Sequence, residues 1–241
     1  MISSLRAAAR LVYFAVYTLI RITQILIGSL FVRDKIHFAL RVRRSWARHL
    51  LPAIGVRLRV EGVPPDFPSL VLGNHRSYLD PIIIICDVLG WPVSKAEVAS
   101  WPIVGAGARL SGVLFLKRES LKSRKRTLRG IAEKVAEGWP VILFPEGTTT
   151  DLPATAPFRR GSFQLAAQNA IPIVPVAISY SDPRDYWIGD ATFLPHFFQC
   201  FGKKNVDVWL VYGPTIAGND AEDLQTRTKE WIDNQLLGAG C

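Results

Sequence analysis

The chain has 241 residues and only three cysteines, Cys86, Cys200 and Cys241, which are odd in number, widely spaced and never in a C-x-x-C pair. That scarcity excludes a disulfide framework and a zinc site, and it fits a reducing compartment. No serine stands in a G-x-S-x-G elbow, which argues against a serine hydrolase of the α/β type. Internal repeats and low-complexity linkers are also missing. An excess of one charge is absent from most of the chain: residues 51–241 hold twenty bases and nineteen acids. The net charge of +9 therefore sits in residues 1–50, where nine bases face one acid, Asp34. A basic excess confined to an apolar N-terminal segment points to an anionic membrane surface and away from nucleic acid. A second basic cluster, from Lys117 to Arg129, lacks the interleaved aromatics on which single-stranded bases stack. Its plain alternatives are a solvated helix face or a surface for anionic lipid or an acidic donor carrier.

The longest apolar run, Leu11 to Val32, is about long enough to span a bilayer, yet Arg21 and Gln24 interrupt it. Its thirteen Leu, Ile, Phe and Val residues favour insertion by at most about 4 to 8 kcal/mol, against a cost of about 2.5 to 3.5 kcal/mol for one central arginine. Arg10, Tyr17, Arg21, Gln24 and Gly28 share one helical stripe, which suits a helix lying in one leaflet. A secretory signal peptide fits less well, because no small-residue cleavage pattern follows Leu11 to Ile20. A second helix is expected from Lys35 to Leu51, ended by Pro52, with a basic stripe of His37, Arg41, Arg44 and Arg48 facing headgroups or solvent.

Beyond Pro52 the pattern alternates. Strands are expected at 57–61, 69–72, 112–116, 141–144, 173–178 and 206–212, and helices at 81–89, 121–137, 161–169 and 221–237. This is an α/β layer pattern. The boundary falls near Pro52, giving N-terminal membrane-anchoring helices over 1–52 and a second unit over 53–241.

Two short runs carry the chemistry. Asn74-His75-Arg76-Ser77-Tyr78-Leu79-Asp80 follows the apolar Leu70-Val71-Leu72, and Phe144-Pro145-Glu146-Gly147-Thr148 follows Val141-Ile142-Leu143, so both surface where buried strands end, which is where open α/β sheets bind ligands. Asp80 before Pro81 reads most simply as a helix N-cap. Its functional reading folds it onto His75, so that the carboxylate holds one imidazole nitrogen while the other takes a proton from a substrate hydroxyl. With no activated serine or cysteine nearby, the nucleophile comes from the substrate.

Asn74-His75 through Asp80 resembles the NHx4D signature of the glycerolipid acyltransferases, whose best-known bacterial members are the 1-acylglycerol-3-phosphate acyltransferases. Three more blocks match in order. Gly112 to Arg118 is similar to the second, which ends in a phosphate-binding arginine; Phe144 to Thr148 resembles the third; Ile171 to Val176 resembles the fourth. The resemblance implies an α/β fold with a mixed central sheet flanked by helices, a membrane-bound enzyme on the cytoplasmic face of the cell inner membrane, and O-acyl transfer. The donor would be acyl-CoA or acyl carrier protein and the acceptor a lysolipid, with no metal or other cofactor. His75 would be the general base and Asp80 its orienting partner. Arg118, Lys95, Glu146, Gly147 and Thr148 would bind the acceptor's phosphate and glycerol, although Lys95 and Arg118 also read as solvated surface charges.

One departure affects the acceptor. The third block commonly continues from Glu-Gly-Thr into Arg, which clamps a phosphate in two-pronged fashion, and here Thr149 stands in its place. Either Arg159 or Arg160 supplies that charge and the acceptor is lysophosphatidic acid, or the acceptor is another lysolipid, such as a lyso-ornithine or lyso-glycine aminolipid. A non-catalytic lipid-binding protein and a thioester hydrolase are the alternatives from other classes.

Overall fold

Short runs rich in branched and aromatic residues build seven strands: β1 (Val56–Glu61), β2 (Leu70–Gly73), β3 (Trp91–Lys95), β4 (Leu114–Leu116), β5 (Val141–Leu143), β6 (Ile173–Tyr180) and β7 (Val206–Tyr212). The computed structural model describes residues 2–117 and 120–238. The strands form one sheet in the order β1-β7-β6-β2-β5-β3-β4. Neighbours run parallel except β6 and β7, which are antiparallel, so the sheet is mixed, as expected. Successive side chains of a strand point to opposite faces, which sorts β6 into two cores. Val174, Val176, Ile178 and Tyr180 enter one, and Ile173 and Ala177 the other.

Helices close both faces. The first core takes apolar residues from α2 (Lys35–Ala53), α3 (Asp80–Ile84) and α7 (Phe193–Gly202), and the second from α5 (Leu121–Ala136), α6 (Gly161–Asn169) and α8 (Ala221–Gly238). The long α1 (Ile2–Gly28) packs on α7 and α2, with α4 (Val104–Leu110) beside it.

Several expectations are corrected. β3, α4 and α7 were not foreseen, because Trp91-Pro92-Val93-Ser94-Lys95 lacks clean alternation, α4 contains two glycines, and α7 carries Pro195 among aromatics. Pro195 is tolerated because it lies in the first turn, where backbone N–H groups have no intrahelical partner. The helix expected over 81–89 shrinks to five residues, since the β-branched run Ile82 to Ile85 is a poor helix former. Pro52 lies within the last turn of α2 instead of ending it.

The N-terminal helices also place their charges differently from the expectation. Arg10 donates to the carbonyls of Phe201, Lys203 and Lys204, Arg6 to that of Gly202, and Arg21 to that of Val42. Arg43 is buried and caps the carbonyls of Gly90, Ser111 and Gly112, while Arg48 bonds the Cys86 carbonyl at 2.6 Å. These arginines serve the protein; of the expected basic stripe on α2 Arg48 is among them, while Arg41 is exposed. The outward face of α1 is apolar instead, with Leu5, Val12, Val16, Leu19 and Leu26 exposed. Among the described residues α1 is the one helix long and apolar enough to cross a bilayer, by length and composition.

Candidate active site

β2 lies between β5 and β6, and its exit brings the 74–80 loop over the carboxyl ends of these parallel strands. Asn74 fixes the loop at its root. Its side-chain amide donates to the Ile178 carbonyl (2.9 Å) and its oxygen accepts from the Ile178 N–H (2.7 Å), continuing the β2–β6 ladder through a side chain. His75 then turns away from the sheet, and Asp80 returns to it at the start of α3.

The imidazole Nδ1 of His75 donates to Oδ2 of Asp80 at 2.7 Å. That oxygen also accepts from the backbone N–H groups of Arg76 (2.6 Å) and Ser77 (2.8 Å), and Oδ1 accepts from the Tyr180 hydroxyl at 2.6 Å. Asp80 is completely buried, and four donors satisfy a carboxylate that would be costly to bury unpaired. The capping alternative is thereby corrected: Asp80 bonds backward onto the loop, and Leu79 occupies the cap position without a side-chain bond. Burial first, and the Asp80 carboxylate second, push the Tyr180 phenol well above its ordinary pKa, which keeps it protonated as a donor.

The loop after β5 holds the imidazole from the other side. The Phe144 ring stacks on His75 with centroids 4.2 Å apart and planes 13° apart. Glu146 is buried, and its Oε1 accepts from the His75 backbone N–H at 2.7 Å while Oε2 accepts from the Ala156 N–H (2.8 Å) and the Thr150 hydroxyl (3.1 Å). The family resemblance assigns Glu146 to the acceptor, whereas in the structure both its oxygens are engaged by the protein. Gly147 adopts φ +77°, and a Cβ there would lie 2.5 Å from Nε of Arg159, so glycine is what lets Arg159 cross this turn. Thr148 is exposed beside it, and the Thr149 hydroxyl donates to the Trp187 carbonyl.

His75 opens onto a cavity of about 1030 Å³. Its depth is apolar, with Phe14, Ile22 and Ile25 of α1 and Trp46 and Leu50 of α2, and its rim is cationic, with Lys95, Arg124, Lys125, Arg159 and Arg160. Gly147 and Thr148 also line it. The structure thus brings His75, Lys95, Gly147, Thr148 and Arg159 around one space, with Asp80 and Glu146 buried behind it. Arg118 lies outside the described residues. Sequence reasoning missed Tyr180 and Phe144. Phe144 was in plain view within the matched run, whereas Tyr180 stands one hundred residues from Asp80, and only its polar hydroxyl at the end of an apolar strand signals it.

Comparisons with known proteins place the chain in a family. The Acyltransferase family model matches residues 56–179. A lyso-ornithine lipid O-acyltransferase of Pseudomonas aeruginosa is 36% identical over 206 residues, covering 82% of this chain and 79% of the relative. The human 1-acyl-sn-glycerol-3-phosphate acyltransferase alpha is 32% identical over 151 residues, 59% of this chain and 53% of that protein. Among solved structures, the 1-acyl-sn-glycerophosphate acyltransferase PlsC of Thermotoga maritima shares the fold, with a TM-score of 0.72 at 20% identity and 97% of each chain covered. On the matched family model and the extent of the bacterial likeness, this chain belongs to the acyltransferase family.

Proposed function

We propose that this acyltransferase moves a fatty acyl group from a thioester, acyl-CoA or acyl carrier protein, to the free hydroxyl of a membrane lysolipid, with a lyso-ornithine lipid as its acceptor ahead of lysophosphatidic acid. Enzymes of this family use acyl donors and lysolipid acceptors. The observation that carries the reaction is the 2.7 Å bond from His75 to a buried, four-fold bonded Asp80. With Nδ1 engaged, Nε2 is the ring nitrogen that accepts the hydroxyl proton. The alkoxide oxygen forms a bond to the thioester carbonyl carbon, and the tetrahedral oxyanion collapses with cleavage of the C–S bond. The imidazolium returns its proton to the departing thiolate, so the base is regenerated in one turnover.

Lys95 and Arg159 on the cavity rim hold the acceptor's anionic group, with Arg118 as the third cation carried by the family resemblance. Glu146 positions His75 through the backbone, and the Gly147–Thr148 turn borders the acceptor. Thr149 supports the choice of acceptor, because a threonine cannot clamp a phosphate as arginine does and here its hydroxyl is given to the Trp187 carbonyl. The 36% identical relative named for lyso-ornithine lipid supports the same choice. The exposed apolar face of α1 supports residues 1–52 as the membrane-anchoring part and 53–241 as the acyltransferase part. A donor thioester drawn from the cytoplasm supports a site at the cytoplasmic face of the inner membrane.

Detergent-purified protein, given radiolabelled acyl-CoA or acyl carrier protein and a panel of lysolipids, tests the reading beside His75→Ala. Transfer to lyso-ornithine lipid above lysophosphatidic acid is expected, with a loss of about 10³-fold or more in His75→Ala. Undiminished transfer by His75→Ala sinks the mechanism, and a preference for lysophosphatidic acid sinks the acceptor. Release of free fatty acid without any acceptor would indicate a hydrolase, and lysolipid binding without turnover a binding protein.

A further inference from the structure

Four aromatic side chains from three separate segments meet on the wall of the His75 cavity. Tyr78 lies in the catalytic loop, Trp101 after the short helical turn Ala96–Ser100, Trp187 before α7, and Phe193 at the start of α7. Their contacts close into a ring: Tyr78 to Trp187 at 5.2 Å between centroids, Trp187 to Trp101 at 5.7 Å, Trp101 to Phe193 at 5.8 Å, and Phe193 to Tyr78 at 5.4 Å. Two of these contacts are edge-to-face, and Tyr78 and Phe193 pack further on His196 and Phe197, yet all four rings are half-buried and keep surface on the cavity. Aromatic faces carry partial negative charge and attract a cation within about 6 Å of the ring centroid. With centroids this close, a cation resting on the shared surface meets more than one ring.

We propose that Tyr78, Trp101, Trp187 and Phe193 form an aromatic box that receives the side-chain ammonium of an aminolipid acceptor. The proposal rests on the acyl-transfer reading above and gives its acceptor a binding site. Two neighbours complement it. Glu97 lines the same cavity four residues before Trp101 and supplies one carboxylate among the cations of the rim. Thr149 ties the box to the third motif through the Trp187 carbonyl, and it keeps a cation out of the position where arginine is common. An ornithine acylated on its α-nitrogen carries a carboxylate and an ammonium. The cationic rim at Lys95 and Arg159 suits the first, the box the second, and His75 stands in the same cavity as both.

Purified full-length protein in mixed micelles is assayed with a lyso-ornithine lipid and with the same lipid acetylated on its side-chain amine, beside Trp101→Leu and Trp101→Phe. Acetylation removes the charge and keeps the hydroxyl. The wild type is expected to show a KM about 10-fold higher for the acetylated lipid at similar kcat. Trp101→Leu should raise KM about 10-fold for the free amine and leave the acetylated lipid within about twofold, while Trp101→Phe stays within about threefold of wild type on both. Equal KM values in the wild type, or equal losses on both lipids in Trp101→Leu, overturn the box while leaving acyl transfer intact. Binding read by tryptophan fluorescence in His75→Ala separates the two proposals, since it needs no turnover. Tighter binding of the free amine supports the box even if no acyl chain is transferred, and equal binding overturns it.

Discussion

The loops after β2 and β5 sit side by side at the ends of neighbouring parallel strands, yet they contribute different things. The first carries the proposed base and its partner, with His75 facing the cavity and Asp80 buried beneath it. The second supplies support. Phe144 stacks under the imidazole, Glu146 is consumed by three donors of the protein, and Gly147 gives Arg159 its passage. A charged residue inside a reactive motif is therefore not by that fact a substrate contact. The test is where its lone pairs go, and those of Glu146 go to the backbone that carries His75.

Removing the carboxylate from the first loop should have the larger effect. Asp80→Asn replaces one acceptor oxygen by an amide that can only donate, so it faces a donor on at least one side whichever way it turns. The imidazole also loses the partner that fixes its tautomer, and kcat is expected to fall about 10³-fold or more. The unsatisfied buried donors cost about 1 to 3 kcal/mol of stability, so Tm falls as well. A variant with near wild-type kcat would remove Asp80 from the mechanism and return it to a loop-folding role.

Glu146→Gln breaks the second loop in a graded way. Glutamine keeps one acceptor, so either the His75 N–H or the Ala156 N–H loses its partner. The expectation is a kcat lowered about 10-fold with KM for the acceptor within about twofold, because the fault is in positioning. If KM rises while kcat holds, Glu146 touches the acceptor and the contrast between the loops collapses.

The balance of what the sequence disclosed follows the same division. His75, Asp80 and the Phe144 to Thr148 turn are local runs behind apolar strands, and the side chains that meet are near in sequence or share a matched motif. The strands of clean period two, such as β7, were read to the residue, and the mixed sheet came with the family resemblance. Partners that the fold brings from afar stayed hidden. Tyr180 reaches Asp80 across one hundred positions, and Trp101, Trp187 and Phe193 lie on segments whose order along the chain says nothing of their meeting. The charges of α1 were misplaced for a related reason: composition gives the number of arginines on a helix, and only packing against α7 and α2 shows that Arg10 and Arg21 turn inward.

The smallest effect should come from Tyr180→Phe, which leaves both loops in place and removes one donor from the carboxylate they share. Burial and the neighbouring Asp80 hold the phenol well above its ordinary pKa, so in the wild type this donor is present across the working range and adds no alkaline limb of its own. Without it, the negative charge of Asp80 is less dispersed and concentrates on Oδ2, the oxygen that faces Nδ1 of His75. The carboxylate then holds Nδ1 of His75 with one fewer group fixing its own position, so the fault lies in the alignment of the ring. The other charged groups around the site, Arg76, Lys95, Glu146 and Arg159, are unchanged by the substitution, so the effect isolates the Tyr180 bond. Plateau kcat should fall about 3- to 10-fold with KM unaltered. A packing loss alone would lower Tm and leave plateau kcat in place, so an unmoved kcat would make Tyr180 a packing residue of β6 and leave Asp80 held by the loop amides and His75.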